Sequence, residues 1–187
     1  MRVISGQAKG RRIKVPKGRA LRPTAARVKE AIFNILPHDL TGLRVLDLFA
    51  GTGNLSIEAL SRGAAEAWLV DASPSSVRVL RDNLAKMGFS QKTRVWMAPV
   101  PAVVRRLSSR GEKFDLIFLD PPYDSGQINR VVKLIAHEEL LREGGILIAE
   151  HSVREAVEDG CDPLALRDQR RYGSTLVSFF GQKINKT

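Results

Sequence analysis

The sequence predicts an α/β fold, a mostly parallel sheet covered by helices on both faces. Three observations carry this. Short apolar runs near 44–49, 67–70, 93–96, 114–119 and 145–149 alternate with stretches of helical periodicity. The runs are continuously apolar, as strands buried on both faces require. At 187 residues and 20.7 kDa the chain suits one such domain with a small appendage. A chain of this size buries roughly 70% of its unfolded surface.

Each element has its own signal. Val3-Ile4, Ser5-Gly6, Arg12-Ile13-Lys14-Val15 and Pro16-Lys17-Gly18 read as a short hairpin. Thr24 suits an N-cap, and Val28, Ile32, Ile35 and Leu36 recur at helical spacing until Pro37 stops the helix. Arg27 and Lys29 lie off that stripe and are expected to present charge. Arg44 to Phe49 reads as a strand, Leu55 to Arg62 as a helix closed by Gly63, and Ala67 to Val70 as the second strand. Ser73-Pro74 opens the next helix with a cap and a proline at the first helical position. Val77, Leu80, Leu84 and Met87 form its buried stripe, and Gly88 closes it. Strands at 93–96, 114–119 and 145–149 then alternate with helices at 100–110 and 128–141. Two last strands, 164–167 and 176–180, join at Tyr172-Gly173. Trp68 and Trp96 read as packing residues, and Arg105, Arg106 and Arg110 as a solvated helix face.

Composition narrows the class. Hydrophobic residues at 43% and charged residues at 27% describe a soluble globular protein. The single Cys161 excludes an internal disulfide framework and a cysteine zinc site. His38, His137 and His151 share no ligand spacing, so no metal is expected. No run suits a signal peptide or approaches the ~20 apolar residues of a membrane span, which places the protein in the cytoplasm. The net charge of +10 has an address. Residues 1–29 hold ten Lys or Arg and no Asp or Glu, so residues 30–187 carry 20 of each sign. A one-sided block that also carries turn and strand signals reads as an ordered docking surface for polyphosphate. Residues 1–37 thus form a basic extension and 38–187 the main domain, with Lys9, Arg11, Arg12, Lys14, Arg19 and Arg27 as candidate phosphate contacts.

The first strand runs into Asp47-Leu48-Phe49-Ala50-Gly51-Thr52-Gly53, and a helix follows. Ligands of doubly wound sheets bind at the carboxyl ends of the strands. Ser56 stands where a dinucleotide fingerprint needs Gly or Ala, which weakens a nicotinamide or flavin reading. Asp71, ending the second strand, suits the two hydroxyls of a ribose. Asp47 suits a ligand amine. Two carboxylates and a glycine loop without a phosphate-binding lysine fit S-adenosylmethionine, a nucleoside with a cationic amino-acid tail.

The fourth strand ends in Asp120-Pro121-Pro122-Tyr123. Two prolines remove backbone donors and leave carbonyl acceptors. Acceptors from Asp120 and Pro121 suit the exocyclic amine of a nucleobase, and Tyr123 suits stacking on the base. A stacked base would have to be flipped out to reach them.

These motifs resemble class I S-adenosylmethionine-dependent methyltransferases that act on exocyclic amines. Gly6-Gln7-Ala8-Lys9-Gly10-Arg11-Arg12-Ile13, Leu21-Arg22-Pro23-Thr24, Arg27-Val28-Lys29-Glu30, Phe33-Asn34 and Arg171-Tyr172-Gly173-Ser174-Thr175 resemble the RsmD family, bacterial 16S rRNA guanine-N2 methyltransferases. The resemblance covers nearly the whole chain. It implies a Rossmann-like sheet of seven strands with an antiparallel last strand. It also implies a cytoplasmic enzyme, acting as a monomer, that methylates one guanine of 16S rRNA in a small-subunit assembly particle. By position, Gly51, Gly53 and Asp71, with Asp47, Phe49 and Ala72 beside them, would hold the cofactor. Arg22 and Thr24 would lie near it. Asp120, Pro121, Pro122 and Tyr123 would hold the target amine. Met97-Ala98-Pro99-Val100 departs from the family's habit of a polar contact to adenine, so backbone and apolar packing would read that ring. Two other readings stay open: a DNA adenine-N6 or cytosine-N4 methyltransferase, against which the length argues, and a basic RNA-binding or assembly protein without catalysis.

Overall fold

The computed structural model describes residues 1–15 and 23–183. Helix α1 spans Pro23–Ile35, and strand β1 (Arg44–Leu48) leads through the glycine loop to α2 (Asn54–Ser61). Then come β2 (Glu66–Val70), α3 (Pro74–Met87), β3 (Thr93–Trp96), α4 (Val100–Ser108), β4 (Phe114–Leu119), α5 (Gln127–His137) and β5 (Leu141–Ser152). Strands β6 (Gly160–Cys161), β7 (Leu164–Tyr172) and β8 (Thr175–Gln182) complete the chain. The sheet order is β3-β2-β1-β4-β5-β8-β7-β6. The first five strands in that order run parallel; β8 is antiparallel to β5, and β7 to β8.

Successive residues of each central strand face opposite sides, so the sheet has two cores. Val45, Leu69, Phe118 and Ile148 meet α1, α2 and α3 through residues such as Ile32, Ile57 and Leu80. Leu46, Trp68, Ile117 and Leu147 meet α4 and α5 through Val104, Leu107 and Ile135. Val3, Ala8 and Ile13 join the first core. The local signals explain the helix ends: Ser73 Oγ accepts the Ser76 N–H at 3.3 Å, and Gly88 closes α3 at φ 79°.

Four features differ from the sequence reading. The expected N-terminal hairpin is a loop closed by one antiparallel bridge, Arg2 to Arg12. Its arms pair through Val3 N–H on the Arg11 carbonyl at 3.0 Å and Ile13 N–H on the Met1 carbonyl at 2.9 Å, and its tip through Gln7 N–H on the Ser61 carbonyl at 2.8 Å; Pro16-Lys17-Gly18 lie outside the described residues. Helix α5 stops at His137, because Glu139 turns left-handed at φ 49° and Leu141 already opens β5. Strands β5 and β7 are longer than their apolar centres, since pairing with β8 carries polar residues such as Gln169 and Arg170 along. The two-residue β6 adds an eighth strand to the seven expected.

Lys29 also departs from expectation. It is 2% exposed, not a surface charge. Its ammonium lies 3.2 Å from Glu58 and donates to the Arg2 carbonyl at 2.6 Å and to Asn54 Oδ1 at 3.0 Å. Glu58, fully buried, also accepts the N–H groups of Ile4 and Ser5 at 2.8 and 3.0 Å and the Arg62 guanidinium at 3.1 Å. One carboxylate of α2 therefore satisfies the N-terminal loop, α1 and the end of its own helix together.

Candidate active site

Strand register assembles the site. Leu48 pairs with Val70 and with Leu119, and Leu119 pairs with Ala149. The next residues, Phe49, Asp71, Asp120 and Glu150, therefore stand side by side on the carboxyl edge. Three of these are carboxylates from three different strands, which is where doubly wound sheets hold ligands.

The glycine loop is conformationally special. Phe49 is left-handed at φ 67°, an uncommon state for an aromatic residue, and Gly51 and Gly53 follow at φ 56° and 79°. The two glycines differ in purpose. A Cβ on Gly53 would fall 2.4 Å from Leu80 Cδ1, so this glycine lets α2 seat against α3. A Cβ on Gly51 would meet only the Phe49 carbonyl, at 3.9 Å, so the backbone there is bare toward open space. Asp71 fixes the loop: one oxygen accepts the Gly51 N–H at 2.9 Å and the other the Ser73 N–H at 2.8 Å. A carboxylate has about four acceptor positions, so the remaining two suit a diol. Asn83 ties the basic N-terminal segment to the same loop. Its amide donates to the Thr52 carbonyl and to the Lys14 carbonyl, both at 3.0 Å.

Asp47 lies two residues below the edge and is 2% exposed. Ser56, noted in the sequence only as a missing glycine, donates its hydroxyl to Asp47 at 2.6 Å. Burial pushes the Asp47 carboxyl up to about 7, against the Ser56 hydrogen bond and with a contribution from the Asp71 charge. The folded state thus holds a proton that the unfolded state has lost, and Asp47 lowers stability as pH rises from about 4 to 7. Asp47→Asn is expected to stabilise the protein at pH 8 by on the order of 1–4 kcal/mol, and by little at pH 4. Denaturant titrations at the two pH values read this directly; an equal effect at both would contradict it.

The Asp120 end of the site is equally anchored. The Asp120 N–H donates to the Leu48 carbonyl at 3.4 Å. Pro121 is buried, Pro122 is exposed, and Asp124 ends the turn left-handed at φ 54°. The Tyr123 hydroxyl donates to Glu150 Oε1 at 2.8 Å and lies 2.9 Å from Thr175 Oγ1, which completes the pair. Burial and the Glu150 charge hold the phenol well above its usual range, so it stays a neutral donor. The sequence did not single out Glu150 or Thr175 for this. The pairing of Ser152 with Thr175 across β5 and β8 brings them to the ring. Tyr123→Phe keeps the ring and loses its anchor. A misplaced base costs up to about 100-fold, so a loss of roughly 10-fold in kcat is expected, with more for Tyr123→Ala. Steady-state kinetics would contradict this if Phe and Ala variants both ran at full speed.

Among the candidate RNA contacts, Lys9, Arg12 and Arg27 are exposed. Arg11 donates to the carbonyls of Lys86 and Met87 at the end of α3. Lys14 pairs with Asp82 at 3.3 Å. Arg19, Arg22 and the side chain of Thr24 lie outside the described residues. Among those that are described, no helix is long and apolar enough to cross a membrane.

A parallel sheet whose far side is closed by an antiparallel hairpin, with this glycine loop at its carboxyl edge, is the architecture of class I methyltransferases. Within that class the chain belongs to the RsmD family, whose model, described as Conserved hypothetical protein 95, matches residues 1–181. YlbH of Bacillus subtilis (strain 168) is 35% identical over 183 residues, covering 98% of this chain and 100% of that protein. Ribosomal RNA small subunit methyltransferase D of Escherichia coli (strain K12) is 32% identical over 157 residues, covering 84% of this chain and 77% of that one. The solved structure of yhhF from Escherichia coli matches with a TM-score of 0.85 at 29% identity, over 98% of each chain.

Proposed function

We propose that the protein transfers a methyl group from S-adenosylmethionine to the exocyclic N2 of a guanine in 16S rRNA. The observation that carries this is the common row of Asp71, Asp120 and the bare Gly51 backbone on one sheet edge. The 32% identical small-subunit rRNA methyltransferase of Escherichia coli supports the choice of RNA. The donor set fits the cofactor: Asp71 suits the ribose diol, and Asp47 attracts the ammonium of an amino-acid tail. When bound, the cofactor supplies an electrophilic methyl on a sulfonium.

The chain's own residues do the rest. An exocyclic amine is a poor nucleophile because its lone pair is delocalised into the ring. Asp120 and the Pro121 carbonyl accept its two hydrogens and turn the lone pair toward the methyl. As the N–C bond forms and the S–C bond breaks, the amine acquires positive charge and sheds one proton toward Asp120 or water. Acceptors already in place stabilise that charge without reorganisation. Tyr123, held by Glu150 and Thr175, supports the flipped base. The basic extension, residues 1–37, docks the phosphate backbone through Lys9, Arg12 and Arg27, and Arg11, Lys14 and Arg19 of the same segment add to its positive charge. The enzyme acts as a monomer in the cytoplasm on a small-subunit assembly particle.

Methyl-labelled cofactor and unmodified small-subunit particles test this. Label is expected in 16S rRNA at one guanine; label confined to adenine N6 would refute it.

A further inference from the structure

We infer that the outer edge of the sheet, β3 with α4, is a second RNA-docking surface that takes single-stranded backbone next to the active site. It rests on the reading of the protein as an RNA methyltransferase. The near neutrality of residues 30–187 hides a second acid-free block. Between Asp82 and Glu112 there is no Asp or Glu, while Lys86, Lys92, Arg94, Arg105, Arg106 and Arg110 add six positive charges.

The fold gathers these charges on aromatic platforms. Strand β3 is first in the sheet order and, among the described residues, pairs only with β2. The Trp68 and Trp96 rings stack at 6.4 Å and 24°. Arg94 lies 4.4 Å over Trp68, and Arg106 and Arg110 lie 5.0 and 6.0 Å over Trp96. Arg44, also over Trp68, is neutralised by Glu66 and Glu112. Among the described residues, Arg94, Arg106 and Arg110 have no ion pair, and all three are exposed.

Stacking on indole holds a guanidinium in one plane and leaves its N–H fork toward solvent, the geometry that phosphate oxygens accept. Glu66 feels the Arg94 charge but is ion-paired with Arg44, so positive charge outnumbers carboxylate here, and a bound polyanion relieves the remaining repulsion. Position links the surface to catalysis. Trp96 ends β3, and its carbonyl accepts the Asp71 N–H at 3.1 Å. The next residue, Met97, is 57% exposed at the same corner, where the segment expected to read adenine begins. Aromatic and guanidinium groups interleaved in this way favour single-stranded nucleic acid over an acidic protein.

The test replaces Arg94, Arg106 and Arg110 by Gln together. Binding to protein-free 16S rRNA and to an oligouridylate is measured across salt concentrations, with cofactor titration and thermal melting alongside. The expected result is about tenfold weaker RNA binding and a salt slope shallower by about 2, from three lost phosphate contacts. Cofactor affinity and melting should match the parent. Arg→Lys at the three positions should keep the slope. A control that replaces Arg167, Arg170 and Lys183 by Gln, around β7 and β8 at the other end of the sheet, should bind like the parent. Equal binding by parent and Arg94/Arg106/Arg110 variant, or equal losses in variant and control, would overturn the inference. So would unchanged RNA binding with lost binding to small-subunit proteins, which would make an acidic protein the partner. Failure of the parent itself to bind RNA would instead overturn the RNA methyltransferase reading as well.

Discussion

Asp120→Ala is expected to slow methyl transfer by about 10³- to 10⁴-fold while leaving cofactor affinity within about threefold. The reason is positional. Asp120 follows β4, whose Leu119 pairs with Leu48 of β1, whereas the proposed cofactor end is built from β1 and β2. Removing the carboxylate takes away an acceptor that gains strength only as the amine becomes positive. Asp120→Asn keeps one carbonyl acceptor and is expected to retain more activity than Ala. Single-turnover transfer and cofactor titration separate the two effects. A full-speed Ala variant would remove Asp120 from the chemistry, and a lost cofactor site would move its role to binding.

Glu58→Ala should have the largest effect on stability. Breaking a buried ion pair costs about 3–5 kcal/mol, because the partner charge is left without compensation. Here the loss strands the Lys29 ammonium, 2% exposed, and the N–H groups of Ile4 and Ser5. Burial already lowers the Lys29 ammonium below its usual range, against the pull of Glu58. At about 2–4 °C per kcal/mol for a chain of this size, a fall in Tm of roughly 10 °C is expected. The N-terminal loop should also become sensitive to protease, since Glu58 holds it. A Tm within about 2 °C of the parent, with the loop still protected, would contradict this.

The same residue shows what the sequence could and could not tell. Helix α2 was legible from its apolar spacing and the Gly63 stop, yet nothing local marked Glu58 as the anchor of a loop more than 50 positions earlier. Lys29 lay off the apolar stripe and so read as a surface charge. Its burial follows from a long-range partner that helical periodicity does not encode. Asp71 and Asp120 were legible because each ends a strand, and parallel register turns strand ends into neighbours. The strand-end position of Glu150 allowed a place near the site without naming Tyr123 as its partner, and Thr175 carried no such sign. They meet Tyr123 only through the antiparallel pairing of β5 with β8, and the polar ends of those strands carry no apolar signal. Ser56 was legible as a break in the dinucleotide fingerprint, while its hydrogen bond to the buried Asp47 needs the fold to be seen.

The most direct measurement is nucleoside mass mapping of 16S rRNA after reaction of the parent protein and Asp120→Ala with unmodified small-subunit particles. The expected result is one new N2-methylguanosine with the parent and none with the variant. Methylation at an adenine or cytosine amine, or the same guanine methylated by both proteins, would contradict the proposed chemistry.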